Sequence, residues 1–180
     1  MEKKSYKKLN IGCGEDIRKD HINLDFVKDS GVDIIHDLNK FPWPFKANTF
    51  EKVFASHVLE HVDDLVEVMK EIHRISKKGA RIVIRVPHFS CGINYRDPTH
   101  KRLFSFFSFD YFSNIKEYYK REDSNLFSIK KRKLNFTRLA LKPLNYIFNP
   151  LINISPAMYE RFFCWILPCS EALFELEVKK

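Results

Sequence analysis

The chain has 180 residues, a length that suits one domain with a single sizeable core. Hydrophobic residues make up 44% of it, which is a globular composition, and no apolar run approaches the ~20 residues needed to cross a bilayer. The four cysteines form no CxxC pair, and with a charged start (MEKKSYKK) in place of a secretory leader they predict reduced thiols in a cytoplasmic protein. The net charge of +8 is compatible with nucleic acid, an acidic membrane face or a phosphorylated substrate, and does not choose among them.

Short apolar segments alternate with turns in the first third of the chain. Lys8–Ile11 predicts the first strand, His21–Asp25 the second and Val32–His36 the third. Only about ten residues separate the first two strands, which is short for a full crossover helix. Phe50–Ser56 predicts the fourth strand.

The pattern then changes to helical spacing. Asp63 and Asp64 offer an N-cap ahead of apolar positions that predict a helix through Ile75, and the run 77–79 (Lys-Lys-Gly) suits its C-terminus. Arg81–Val86 is nearly continuous in β-branched residues and predicts an interior strand. This order of elements predicts an α/β fold with a mostly parallel sheet.

The second half of the chain gives weaker signals. Leu103–Phe112 is dense in phenylalanine and predicts a helix packed on the sheet, whereas Phe127–Phe136 predicts a strand. The alternation in Leu173–Val178 predicts a half-exposed edge strand. We expect a single domain over residues 1–180, with two insertions for packing or substrate contacts at 90–125 and 143–170.

A glycine turn between two strands is the most informative motif. LNIGCG at 9–14 runs from the first strand into the turn, where Gly12 and Gly14 let the backbone come close to a ligand. Asp25 ends the second strand, where a carboxylate can accept hydrogen bonds from two ribose hydroxyls. Such an arrangement makes a nucleoside pocket in an open parallel sheet; the alternative is an ordinary glycine turn after a buried strand.

Several segments, in order and spacing, resemble class I S-adenosylmethionine-dependent methyltransferases of the small type-11-like group. They are LNIGCG (9–14), INLD (22–25), HDL (36–38), FPWPF (41–45), FEKVFASHVLEHV (50–62) and VPHF (86–89). The stretch DPTHKRLFS at 97–105 is similar to a segment found in a subset of these proteins. The resemblance implies a doubly wound, Rossmann-like, mostly parallel sheet with an antiparallel last strand, and S-adenosyl-L-methionine as the cofactor.

The resemblance also implies which residues contact the cofactor at the carboxyl ends of the strands. They are Asn10, Gly12, Cys13, Gly14, Asp25, Asp37, Leu38, Ser56 and His57. The residues from Asn10 to Gly14 would face the methionine part, and Asp25 the ribose hydroxyls. Asp37 and Leu38 would lie by the adenine, and Ser56 and His57 by the transferable methyl group.

Two positions depart from the family pattern. Asn10 stands where an acidic residue is frequent and Asp16 where a third turn glycine is frequent. Asn10 can still form hydrogen bonds, but it carries no charge to meet the cofactor's amino group. A nicotinamide cofactor fits less well, because the chain lacks GxGxxG and its acidic residue follows the turn too early.

Three histidines are candidates for a general base: His57, His61 and His88. His57 and His88 end adjacent predicted strands and so should face the same crevice. The alternative is that they are hydrogen-bonding groups of the cleft rim. His57 and His61 stand four residues apart, as metal ligands on a helix do, but no third ligand has a recognisable spacing, so we predict no metal site.

Three functions stay open at this point. The first is a methyltransferase acting on a small-molecule or glycan acceptor, with Lys101 and Arg102 placed to hold a phosphate or carboxylate. The second is a nucleic-acid methyltransferase that uses the basic surface, and the third is a cofactor-binding module without turnover. The aromatic segment 159–174 either packs against the sheet or another subunit, or forms a peripheral membrane contact. The acceptor and the oligomeric state are not specified by the sequence.

Overall fold

The structure, a computed structural model, describes residues 7–113, 125–137 and 142–180. The predicted insertion 90–125 and the charged N-terminal run therefore lie partly outside the described residues. The strands are Lys8–Ile11 (β1), Ile22–Asp25 (β2), Ile34–Ile35 (β3), Phe50–Ser56 (β4), Ser76–Pro87 (β5), Phe127–Asn135 (β6) and Glu171–Val178 (β7). The two longer helices are Leu65–Ile75 (α1) and Asn145–Ile154 (α2). Short helical turns are Ile93–Arg96, Ser108–Phe112, Lys142–Leu144, Pro156–Met158 and Tyr159–Phe163.

All seven strands form one sheet in the order β3-β2-β1-β4-β5-β7-β6. The strands from β3 to β5 in this order pair in parallel, whereas β7 runs antiparallel to both of its neighbours. This arrangement confirms the predicted Rossmann-like, mostly parallel sheet with an antiparallel last strand. It also brings the carboxyl ends of β1, β2 and β4 to one edge.

The end of α1 differs from the prediction. The helix ends at Ile75, and Ser76 is already extended (φ −89°, ψ 148°) and is paired with Phe50 of β4. Residues 77–79 therefore lie within β5 and do not cap the helix, although Gly79 has the positive φ (76°) expected of a cap. Lysines and a glycine suit both a helix end and an irregular start of a strand, so composition could not separate the two.

The predicted helix over Leu103–Phe112 is wrong except for the short turn Ser108–Phe112. Serine side chains compete with helix formation here, because Ser108 Oγ accepts from the N–H of Ser105 (2.8 Å) and Ser105 Oγ accepts from the N–H of Phe107 (2.9 Å). The segment still covers the sheet as expected, and its most buried side chains are Phe104, Phe109 and Phe112.

The predicted edge strand at Leu173–Val178 is also placed wrongly, because β7 lies between β5 and β6. The alternation has another cause: one face of β7 joins the apolar core through Phe174 and Leu176, and the other face carries charged residues. Glu175 on that face pairs with Arg81 of β5 at 2.6 Å. The core face of the sheet packs against α1 through Val68, Met69, Ile72 and Ile75.

Asparagine side chains of α2 cover the outer edge of the last residues of β6 and of the two residues that follow it. Asn153 accepts from the N–H of Leu134 (2.9 Å) and donates to its carbonyl (2.8 Å). Asn149 accepts from the N–H of Phe136 (2.7 Å), and Asn145 makes the same pair of bonds to Thr137 that Asn153 makes to Leu134. This asparagine ladder satisfies backbone groups that an edge strand would otherwise expose. In the part of the chain that the structure describes, no helix has the length and apolar content needed to cross a membrane.

Candidate active site

The glycine turn after β1 has two glycines with different surroundings. Both have positive φ, 57° at Gly12 and 45° at Gly14. A Cβ on Gly12 would lie 2.2 Å from Cγ2 of Val58, so the turn and the segment after β4 pack too closely for any side chain. A Cβ on Gly14 would have no neighbour within 4 Å. Gly14 therefore faces open space that a ligand can enter, and Gly12 allows close packing of the protein on itself.

Replacing Gly12 should destabilise the fold independently of any ligand. We expect Gly12→Ala to cost about 1–2 kcal/mol for the left-handed backbone and about 1–3 kcal/mol for the contact with Val58. Thermal denaturation of Gly12→Ala, Val58→Gly and the double variant measures the second part as a favourable coupling; glycine is needed at position 58 because the Cβ of Val58 alone would lie 2.6 Å from the new methyl group. Strict additivity would contradict the clash, and Gly14→Ala serves as the control with backbone strain alone.

Asp25 at the end of β2 holds the glycine turn. Its Oδ2 accepts from the N–H of Gly14 (2.8 Å) and its Oδ1 from the N–H of Val27 (3.1 Å), and the residue is 8% exposed. Asp37 follows β3, and its Oδ1 accepts from the N–H of Asn39 (3.0 Å). Leu38 lies in the core, and its carbonyl accepts from the Trp43 indole at 3.1 Å. The open space at Gly14 beside a carboxylate at a strand end fits a nucleoside cofactor with a cationic methionine part.

Asn10 has a structural explanation for its departure from the family pattern. It is buried, and its Nδ2 donates to the Asp16 carbonyl (2.7 Å) and to Oδ1 of Asn23 (3.1 Å). A carboxylate at this position could only repel those two oxygens, whereas the amide joins β1 to β2 and to the turn. Burial raises the pKa of the neighbouring Cys13 to about 11, which keeps this thiol protonated.

His57 lies directly after β4 and next to Ser56, which is half-buried. Its φ is 54°, and its N–H donates to the Arg85 carbonyl at 2.8 Å, which fixes the turn. The side chain is 25% exposed, with Nδ1 3.4 Å from Oε1 of Glu60 and Nε2 3.2 Å from Oε2 of Glu171. The imidazole is thus held between two carboxylates at the edge of the sheet where the residues predicted to contact the cofactor lie.

Glu171 is the centre of a buried polar network that the sequence analysis did not predict. Its Oε1 accepts from Arg85 (2.8 Å) and from Nδ2 of Asn135 (2.8 Å), and the residue is only 1% exposed. Burial alone would raise the pKa of Glu171, but the hydrogen bonds from His57 and its other partners outweigh burial and lower the pKa to about 2. Glu171 therefore stays ionised at neutral pH.

The other two candidate histidines have different surroundings. His88 is fully buried, with Nδ1 2.8 Å from Ser90 Oγ and Nε2 3.1 Å from Oε1 of Glu160. His61 is half-buried, and its ring lies edge-on to that of His100 at 4.8 Å between centroids. The structure thus brings His57 and His61 to either side of Glu60, whereas His88 is buried and bonded to other residues.

The basic pair of the 97–102 loop attaches that loop to the segment after β4. The N–H of Lys101 donates to the Glu60 carbonyl at 2.8 Å, and its side chain is paired with Asp63. Arg102 donates to the carbonyls of Val62 (2.7 Å) and Asp63 (2.8 Å). These contacts bring His100 next to His61, which spacing along the sequence could not indicate.

Comparison with known proteins agrees with this architecture. Residues 18–84 match a family model described as a methyltransferase domain. A SAM-dependent methyltransferase from Archaeoglobus fulgidus is similar at 17% identity and a TM-score of 0.60, with 96% of this chain and 88% of that one covered. The YcgJ protein from Bacillus subtilis is similar at 14% identity and a TM-score of 0.60, with 97% and 92% covered.

A third similar structure is a phosphoethanolamine N-methyltransferase 2 from Haemonchus contortus in complex with S-adenosyl-L-methionine. Its identity is 14% and its TM-score 0.58, and the match covers 96% of this chain and 48% of that one. No curated protein sequence matches the chain significantly. The chain therefore has the fold of S-adenosylmethionine-dependent methyltransferases, and its segment 18–84 matches the model of a methyltransferase domain.

Proposed function

We propose that the protein transfers the methyl group of S-adenosyl-L-methionine to a small-molecule or glycan-type acceptor. The main support is the position of His57, partly exposed and held by Glu60 and Glu171 at the strand edge that carries the glycine turn. The cofactor would be held by Asn10, Gly12, Cys13, Gly14, Asp25, Asp37, Leu38, Ser56 and His57. The four cysteines are free thiols, which supports a cytoplasmic location.

When bound, S-adenosylmethionine supplies a methyl carbon already activated by the sulfonium. The protein's task is then to orient an acceptor atom in line with that carbon, so that the new bond forms as the carbon–sulfur bond breaks. His57 would accept the proton that a hydroxyl or protonated amine of the acceptor must lose. Glu171, ionised at neutral pH, would orient the ring and stabilise it once protonated.

A nucleic-acid acceptor is the second candidate, favoured by the basic strand β6. Lys131, Arg132 and Lys133 line one open groove together with Arg85 and Glu171, so a polyanion lying there would reach the His57 network. Such binding would weaken steeply with salt, whereas binding of a small neutral acceptor would not. A cofactor-binding module without turnover would bind the cofactor and methylate nothing.

The identity of the acceptor can be tested directly. The purified protein is incubated with methyl-labelled S-adenosylmethionine and a fractionated cell extract, and the labelled product is identified. Label in a small molecule or glycan supports the proposal, and label in RNA or DNA supports the second candidate. Cofactor binding in calorimetry without label in any fraction would support the module without turnover.

Asp25→Ala should weaken cofactor binding by about 1–3 kcal/mol, roughly 5- to 150-fold, because the ribose hydroxyls of the bound cofactor would lose their acceptor. The fold should survive with some loss of stability, since the carboxylate lies at the end of β2 but also accepts from the N–H groups of Gly14 and Val27. Calorimetry with S-adenosylhomocysteine measures the loss, and Asp29→Ala, on the exposed loop after β2, is the matched control. Wild-type affinity in Asp25→Ala would remove this residue from the cofactor site.

A further inference from the structure

Three potential metal ligands from two segments converge beside His57. Glu60 and His61 follow β4, and His100 is brought to them by the 97–102 loop. One ligand atom from each lies within 4.8 Å of the other two. We propose that Glu60, His61 and His100 bind one divalent transition-metal ion on the acceptor side of the candidate active site.

The hydrogen bonds of both histidines involve Nδ1 and leave Nε2 available to a metal ion; Nε2 of His100 also lies 3.7 Å from Oδ2 of Asp97. His61 Nδ1 lies 2.9 Å from Thr99 Oγ1, and because that hydroxyl donates to Asp97 (2.6 Å), the proton between them belongs to His61. His100 Nδ1 lies 3.1 Å from Oδ1 of Asn94, an acceptor. Both rings thus donate through Nδ1 to an oxygen, as metal-binding histidines do to fix the tautomer and orientation.

Glu60 supplies an independent indication of a missing partner. The residue is 1% exposed, and its Oε2 has no hydrogen-bond partner in the described part of the chain. Its other oxygen is 3.4 Å from Nδ1 of His57. A buried carboxylate oxygen without a partner is costly, and a cation bound there would compensate for its lost hydration.

The ligand set indicates the class of metal and its use. Two imidazoles and one carboxylate suit zinc, iron or a similar first-row ion better than magnesium, which prefers oxygen ligands. Three protein ligands leave coordination positions open, as in catalytic sites. If the proposed function holds, an acceptor oxygen would occupy such a position and lose its proton more readily. His57 would be close by, because Glu60 contacts its ring.

Isothermal titration of Zn²⁺ into the metal-free protein tests the site without requiring an acceptor. We expect one ion per chain in the wild type and a loss of affinity of at least about tenfold in Glu60→Gln and His100→Ala. His73→Gln, which removes a histidine of α1, should bind as the wild type does. Glu60→Gln preserves the side-chain shape, and retained S-adenosylhomocysteine binding in each variant shows that the fold and the cofactor site survive.

Two results would overturn the metal proposal. One is a wild-type protein that binds no Zn²⁺, and the other is unchanged Zn²⁺ affinity in Glu60→Gln or His100→Ala. Either result would leave the methyltransferase proposal standing, because cofactor binding is measured separately. Conversely, failure to bind S-adenosylhomocysteine would contradict the proposed function and leave the metal result interpretable.

A second inference comes from the outward face of α2. The asparagine ladder turns one side of this helix toward β6, and Ile152 packs into the core. Four other apolar side chains of the helix, Tyr146, Ile147, Leu151 and Ile154, point away from the protein. Tyr146 is 88% exposed, Ile154 77% and Ile166, beyond the helix, 79%. The apolar surface, as we call it, comprises Tyr146, Ile147, Leu151, Ile154, Met158, Phe162, Phe163, Trp165 and Ile166, each more than half exposed.

The charges around the apolar surface are mainly positive. Lys131, Lys133 and Tyr146 line the same open groove, and Arg161 is exposed within the surface itself. Glu160, the only acidic residue between 142 and 168, is turned inward and accepts from the N–H of Phe106 at 2.5 Å. An apolar, aromatic surface with a cationic rim complements an anionic lipid bilayer, into whose interface such a helix can sink.

We infer that the apolar surface binds the interface of anionic phospholipid membranes. In co-sedimentation with phosphatidylglycerol vesicles, we expect the wild type to bind and Trp165→Ser/Ile166→Ser to bind at least about tenfold less. Phe26→Ser, which removes an equally exposed aromatic near β2, should bind as the wild type does. Cofactor binding should be unchanged in all three proteins.

Vesicles of phosphatidylcholine alone should bind the wild type less, because they lack the anionic charge that complements the rim. The inference would be overturned by a wild type that ignores phosphatidylglycerol vesicles, or by a double variant that binds them normally. A stable dimer in solution that the double variant abolishes, together with no vesicle binding, would instead assign the apolar surface to a second copy of the chain.

Discussion

His57→Gln should reduce turnover by about 10²–10⁴-fold, far more than it weakens cofactor binding, in which His57 is one of nine proposed contacts. The expected separation arises because a base acts on the acceptor and not on the sulfonium. The measurement is kcat with the identified acceptor beside calorimetry with S-adenosylhomocysteine. His88→Gln is the matched control: it removes a buried imidazole bonded to Ser90 and Glu160, so it should lower thermal stability more than His57→Gln does.

The reverse outcome would reassign the two histidines. If His88→Gln abolished turnover without loss of stability while His57→Gln remained active, His88 would be the base. If both variants kept near-normal turnover, catalysis would depend on positioning an acceptor that is already deprotonated at neutral pH.

Glu171→Gln should lower the free energy of unfolding at pH 7 by about 3 kcal/mol, because the carboxyl pKa falls from 4.5 to about 2 on folding. A depressed folded-state pKa stabilises the fold above pH 4.5, and that contribution is lost as the pH falls from about 4.5 towards 2. The difference between variant and wild type should therefore shrink over this range. Urea denaturation at pH 7, 5 and 3 measures it.

Glu175→Gln is the control for Glu171→Gln. Glu175 lies on the same strand and is paired with Arg81, whose side chain is 57% exposed, so its loss should cost less than about 1 kcal/mol. Equal losses in the two variants at pH 7, or a Glu171→Gln effect that does not change by pH 3, would contradict the assigned role of the buried network.

The sequence predicted the sheet better than its surroundings. Strands β1 and β4 have the predicted bounds, because their apolar runs and flanking turns are local signals. The place of β7 was mispredicted as an edge, since alternation reports one buried face and says nothing about how many neighbours a strand has. The prediction of a helix over Leu103–Phe112 was wrong because two serine hydroxyls compete for backbone N–H groups there.

The candidate site was predictable only where it depends on local motifs. The glycine turn and Asp25 could be found because backbone conformation and strand ends are encoded nearby. Glu171 and His100 could not, because they reach His57 and His61 through strand pairing and loop attachment between distant segments. The roles of the cofactor-contacting residues and of the three histidines stay predictions.

The contact between α2 and the end of β6 depends on a similarity in length. Successive contacting residues are separated by nearly the same distance along a helix as along a strand. Four helical residues advance about 6 Å along the axis, and two strand residues advance about 6.7 Å. Side chains four apart on a helix can therefore meet alternate residues of a strand, as Asn153 and Asn149 meet Leu134 and Phe136. The mismatch is about 0.7 Å per step, and beyond β6, where the chain bends at Phe136, Asn145 meets Thr137, one residue out of phase. A helix can thus satisfy the backbone groups of a strand edge over about three contacts. On a longer edge, helix and strand would fall out of register, and other groups would have to pair with the remaining N–H and C=O groups.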